Sequence, residues 1–153
     1  MSQQVVMVRR GEGESLRVLG AGVKFLCEAD KTDRAWSLME VALPRDGGPP
    51  PHTHPWGEAY YVLEGEVDFE LEGRHHVVHA GDFIYAPGGT LHGFKGRLEQ
   101  PARLLIFDAP AHAEAFFREV DQQVKGPADM PKVPVIGHRH QILFRPPSPA
   151  AAA

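Results

Sequence analysis

Two stretches decide the reading: GGPPPHTHPWGEAYYVLEG at residues 47–65 and GDFIYAPGGTLHGFKG at residues 81–96. In the first, His52 and His54 stand two apart, so on an extended chain both side chains point to one face. Glu58 follows after Pro55, Trp56 and Gly57, at the start of an apolar run. In the second, a strand ends at Pro87, Gly88 and Gly89, the chain turns, and His92 begins another strand. Three imidazoles and one carboxylate can then converge from neighbouring strands. Such a set suits one divalent transition metal, with iron, manganese, nickel, copper and zinc all compatible. It leaves positions free for water, a small-molecule substrate or dioxygen.

Working outward, residues 66–71 alternate cleanly. Val67, Phe69 and Leu71 face one side and Glu66, Asp68 and Glu70 the other, which is a half-buried strand. Gly73 suggests a hairpin turn into the next strand. Similar short segments recur at 5–8, 17–19, 23–27, 36–43, 59–63, 76–79, 83–85, 91–94 and 103–107, with Gly, Asp or Pro in nearly every gap. That spacing predicts an all-β sandwich or barrel. Residues 112–124 (HAEAFFREVDQQV) break the pattern. They lack Gly and Pro, and Ala113, Phe116, Phe117 and Val120 recur at helical spacing, so a short amphipathic helix follows the barrel. Prolines at 126–134 predict an extended arm, and residues 142–144 a further short strand or docking segment. A single domain over 1–145 with a flexible tail at 146–153 is the expected organisation.

The chain has 153 residues, 42% hydrophobic and 24% charged, ordinary for one globular domain. Sixteen Lys and Arg against twenty Asp and Glu leave a net charge of −4. That balance argues against nucleic acid and against a polybasic membrane contact. Cys27 is the single cysteine, which excludes an intrachain disulfide and reads as a small buried hydrophobe. No stretch has the length of a membrane span or of a signal peptide, so a cytoplasmic protein is expected.

The two deciding stretches resemble the paired motifs of the cupin superfamily. The first motif runs His-x-His, three or four residues, Glu, six residues, Gly; here that is His52, His54, Glu58 and Gly65. The second runs Gly, five residues, Pro-x-Gly, two residues, His; here that is Gly81, Pro87, Gly89 and His92. Two non-ligand positions depart from the pattern. Asp46 stands where a glycine is expected, and Gly96 where Asn is frequent. The wider chain is similar to small cupins of the quercetin dioxygenase-like group. This resemblance implies a double-stranded β-helix (jelly-roll) barrel with a short C-terminal helix, one metal held by His52, His54, Glu58 and His92, and a homodimer.

Around such a metal, Tyr60 shares the face of Glu58, and Phe94 the face of His92, each two residues on. Both are candidate pocket walls, with Phe25, Trp36 and Ile106 as weaker ones. Tyr61 falls on the opposite face, toward a second protomer. Phe116 and Phe117 are read first as core packing. His75, His76 and His79 read as a solvated strand, and His138-x-His140 lacks a following Glu and a Pro-x-Gly partner. The expected activity is a metal-dependent dioxygenase on a small aromatic or enolisable substrate, with Glu58 as ligand or general base. The alternatives are a metal-assisted isomerase or lyase and a non-catalytic binding module. Lys95 is the one cation within the two motifs, and it faces away from His92, which disfavours phosphorylated substrates.

Overall fold

Alternation along short segments builds two antiparallel sheets. The computed structural model describes residues 4–145. In chain order the strands are β1 (Ser15–Val18), β2 (Ala21–Cys27), β3 (Ser37–Leu43), β4 (His52–Thr53), β5 (Gly57–Glu64), β6 (Glu66–Leu71), β7 (Arg74–His79), β8 (Phe83–Ala86), β9 (His92–Gly96) and β10 (Ala102–Ala109). Helix α1 (Ala113–Gln123), helix α2 (Lys132–Arg139) and strand β11 (Leu143–Phe144) follow. One sheet has six strands in the order β1-β2-β3-β10-β5-β8, and the other five in the order β11-β4-β9-β6-β7. This is the all-β, two-sheet barrel that the resemblance implies, with two short helices after it.

The core lies between the sheets. In β3 the alternation puts Ser37, Met39, Val41 and Leu43 inside, and in β6 Val67 and Phe69. Each fully buried aliphatic or aromatic side chain contributes about 1.5–3 kcal/mol relative to exposure. Register then aligns the working positions. Asp108 of β10 lies opposite both Ser37 of β3 and Glu58 of β5, so these three polar side chains form one inward row. Across the barrel His52 of β4 lies opposite His92 of β9.

Three segments differ from the sequence reading. Residues 5–8 form no strand, and Val5 is 97% exposed; β1 already closes that edge of the sheet. The expected arm at 126–134 is instead a 3-10 turn at Pro127–Asp129 and the start of α2. Pro131 and Pro134 sit at the helix cap and in its first turn, where the N–H that proline lacks has no helical acceptor. Cys27, expected to be buried, is half-buried at the end of β2. The tail expected at 146–153 lies outside the described residues.

Candidate metal centre

β4 delivers His52 and the residues after it deliver His54, while β9 opens on His92. The three rings cluster, with centroids 4.3 Å apart for His52 and His92 and 4.8 Å for His54 and His92. One nitrogen from each can be chosen so that all three lie within 4.8 Å of one another. The turn between motifs holds the two halves in contact. The Gly89 N–H donates to the His54 carbonyl at 2.8 Å. A Cβ on Gly88 would lie 2.1 Å from the Pro55 carbonyl oxygen, so a side chain there would force the motifs apart.

Each ring is fixed by a carbonyl two residues away. His52 Nδ1 meets Pro50 O at 2.8 Å, His54 Nδ1 meets Trp56 O at 2.9 Å, and His92 Nδ1 meets Thr90 O at 2.8 Å. A carbonyl accepts only from a protonated nitrogen, so this network assigns the hydrogen to Nδ1 and the lone pair to Nε2. The Nε2 atoms of His54 and His92 are buried and have no hydrogen-bond partner. Buried polar atoms are seldom left so, and an orphaned lone pair is the form that binds a metal. Burial lowers the His52 pKa to about 3, with the neighbouring His92 adding to the effect, so the ring is neutral at pH 7. Burial lowers His92 as well.

Glu58 closes the fourth side. Its Oε1 lies 2.9 Å from His54 Nε2, and its Oε2 lies 4.0 Å from His92 Nε2. With the His54 hydrogen on Nδ1, that 2.9 Å contact sets a lone pair against a carboxylate oxygen. It needs either a second proton on the ring or a cation shared by both atoms. Trp56 Nε1 donates to Oε1 at 3.2 Å, and the Tyr60 hydroxyl donates to Oε2 in a short bond. Burial alone would raise the Glu58 pKa, but His54, His92 and Tyr60 bring it down to about 2. Tyr60 is pushed well above its ordinary value by burial and by Glu58. The donor set therefore suits a divalent cation held by imidazole and carboxylate.

Beside these groups is a cavity of about 40 Å³. Val23, Val41, Phe94, Ile106, Phe116 and Phe144 are among its walls, and His52, His54 and Glu58 are its polar groups; among the described residues no Lys or Arg lines it. Of the five pocket candidates, Phe94 and Ile106 face this cavity. Tyr60 sits behind Glu58, fully buried. Phe25 backs Phe117 at 6.4 Å, one layer out. Trp36 is not at the site. It precedes β3, lies on the outer surface at 36% exposure and stacks on Phe107 at 5.7 Å.

Three contributions were missed in the sequence. Trp56 stacks on His54 with centroids 4.2 Å apart and holds Glu58, although in sequence it is only one of three residues between His54 and Glu58. Phe116 packs in the core and Phe117 against it, as expected, and both also line the cavity from α1. Phe144 arrives from β11, and no spacing rule links it to His52. His75, expected to be solvated, is half-buried on the outer face of β7, with Asp68 at 3.1 Å. His140 is held by Glu119 at 2.6 Å. Among the described residues no helix is long and apolar enough to cross a membrane.

Residues 39–108 match the family model described as the cupin domain. No curated protein is significantly similar to the chain. Among solved structures, the polyketide cyclase RemF from Streptomyces resistomycificus is 27% identical, with a TM-score of 0.63, over 69% of this chain and 80% of that one. KdgF from Halomonas sp. is 24% identical with a TM-score of 0.62, over 71% of this chain and 97% of that one. A RmlC-like cupin from Shewanella frigidimarina is 21% identical with a TM-score of 0.60, over 74% of this chain and 99% of that one. The last two likenesses speak to fold alone. Residues 39–108 thus resemble a cupin domain in sequence, and the barrel around them has the fold of solved cupins and gathers three buried histidines at one point.

Proposed function

We propose that the chain is a metal-dependent dioxygenase for a small, uncharged aromatic or enolisable substrate, of the quercetin dioxygenase-like kind. The observation that carries this is the pairing of a three-histidine, one-glutamate donor set with a cavity that is otherwise apolar and free of Lys and Arg. Phosphorylated or carboxylate substrates would find no counter-charge there. His52, His54, Glu58 and His92 would hold the metal, which supplies a Lewis acid for a substrate oxygen and, for redox-active ions, electrons for dioxygen. Glu58 is held ionised, which makes it a ligand before it is a base. It becomes a proton acceptor for an enol only as its contact with His54 loosens. Trp56 and Tyr60 keep its two oxygens in place.

The same reading includes a cytoplasmic homodimer. The outer face of the six-stranded sheet supports the dimer, because Tyr61, Phe83, Tyr85 and Phe107 are exposed there in adjoining positions. Exposed aromatic patches of this kind mark association surfaces. A second reading, a metal-assisted rearrangement without oxygen, is favoured by the likeness to the polyketide cyclase. Elemental analysis of protein purified without chelator or His tag, followed by oxygen uptake with flavonols and diketones, tests both. Oxygen consumption by the iron-, manganese-, nickel- or copper-loaded protein is the expected result. Turnover without consumption would move the assignment to the isomerase or lyase class, and binding without turnover to a binding module.

A further inference from the structure

The cavity beside the histidines has about 40 Å³. A cavity that takes one benzene ring has about 150 Å³. An organic ligand therefore enters only if a wall moves, and the walls differ in how they are held. Val23, Val41 and Ile106 belong to the six-stranded sheet, where β3 and β10 pair continuously from Leu43–Ala102 to Ser37–Asp108. Helix α1 is fixed along its length. Asp108 Oδ2 accepts the N–H groups of His112 and Ala113 at 2.9 and 3.1 Å. Arg118 reaches Glu14 at 2.7 Å, and Asp121 accepts the Arg17 N–H at 2.8 Å.

β11 is held far more lightly. It meets β4 only at Leu143–Thr53 and Phe144–His52, and the Arg145 N–H donates to Pro51 O at 2.8 Å. The chain reaches it from α2 through Gln141, at φ +63°, a left-handed conformation uncommon outside glycine. Phe144 nevertheless has a seat. Its ring centroid is 5.5 Å from that of His52 and 6.0 Å from that of Phe116. Gly137 makes the room, since a Cβ there would lie 2.8 Å from Phe144 Cε2.

We propose that Leu143–Phe144 is the gate of the metal-side cavity, and that Phe144 sets the size of ligand admitted. The strap lifts from β4, the ring leaves its place beside His52, and the space vacated suits an uncharged ligand of about one aromatic ring. This rests on the cavity being the ligand site of the proposed function.

The test is a reversible lock in the full chain. In a Cys27→Ser background, Thr53→Cys with Leu143→Cys puts thiols on directly opposed strand positions, which a disulfide can span. The reduced protein is loaded with Co²⁺, then oxidised, and binding of catechol, which is neutral at pH 7, is followed through the cobalt absorbance. The expected result is association slowed at least about tenfold by the lock and restored by dithiothreitol, as for a gating element. Phe144→Ala is expected to speed association with the cobalt spectrum unchanged. Equal rates in the locked and reduced forms, with cobalt bound, overturn the gate and leave the metal site standing. Absence of cobalt binding by the reduced protein overturns the metal reading instead, and amide hydrogen exchange then decides the gate. Strap amides exchanging much faster than that of Val124, bonded to Val120 O at the end of α1, support it; equal protection overturns it.

Discussion

Glu58 Oε1 stands 2.9 Å from His54 Nε2, while the other nitrogen of that ring is bonded to the Trp56 carbonyl. The pair needs a second proton or a shared cation, and the neighbouring Nε2 of His92 is orphaned in the same place. Removing one donor should therefore abolish or weaken metal binding without unfolding the barrel. His52→Ala and His92→Ala are expected to lose metal, measured by elemental analysis after dialysis, while circular dichroism stays unchanged. Glu58→Gln, which keeps the shape and removes the charge, is expected to retain metal more weakly. Full metal content in both His variants would remove the ligand assignment.

Acid should destabilise the metal-free protein through the same groups. The His52 pKa falls from 6.5 to about 3 on folding, so between those values the unfolded chain binds more protons and stability drops as pH falls. The Glu58 pKa falls from 4.5 to about 2, which gives the same sign over a lower window. Denaturant midpoints should thus decline from about pH 6.5 downward. His52→Gln should flatten the upper part of that slope. An unchanged slope in the variant would assign the acid sensitivity to other groups.

Metal should stabilise the fold by mass action. Free metal at one hundred times its dissociation constant adds about 2.7 kcal/mol. A rise of several degrees in Tm on addition, reversed by chelator and absent in His92→Ala, is the expected thermal-shift result.

Asp108 is fully buried and accepts from Ser37 as well as from the first N–H groups of α1. Asp108→Ala leaves those donors unpaired, at about 1–3 kcal/mol for each one that stays buried. Asp108→Asn keeps an oxygen for the helix and an amide for Ser37, so it should cost far less. Equilibrium unfolding of the two variants compares them directly.

The proposed dimer rests on the aromatic outer face. Tyr61→Lys with Phe83→Lys should lower the light-scattering mass from twice 16.8 kDa to one chain while metal content is unchanged. Dimers persisting in that variant would place the interface elsewhere.

The sequence was most legible where periodicity carries the information. Val67 and Phe69 alternate with Asp68, and Tyr60 with Tyr61, and burial follows that alternation. The His-x-His spacing and the Pro-x-Gly turn brought three histidines together across two sheet segments, because backbone direction alone sets where those side chains point. Trp36 is outside the site because the alternation that buries Ser37, Met39, Val41 and Leu43 turns it to the outer face of the sheet. Residues 126–134 read as an extended arm because proline in a helix's first turn looks, in sequence, like proline in an extended segment. Phe144 was invisible as a cavity wall. Its position depends on β11 returning to β4, a long-range pairing that no local pattern encodes.

The donors and the roof of this cavity come from separate stretches of chain. All four donor positions fall within residues 52–92, inside the matched domain, while Phe116 and Phe144 come from the segment after residue 108. On the proposed function, part of the ligand choice can therefore vary apart from the chemistry. On that reading, a graft that exchanges the C-terminal segment would re-cut this part of the cavity wall while keeping all four donor residues. Were the barrel the enzyme proposed, a new substrate range would begin in the segment after residue 108 and not among the donors.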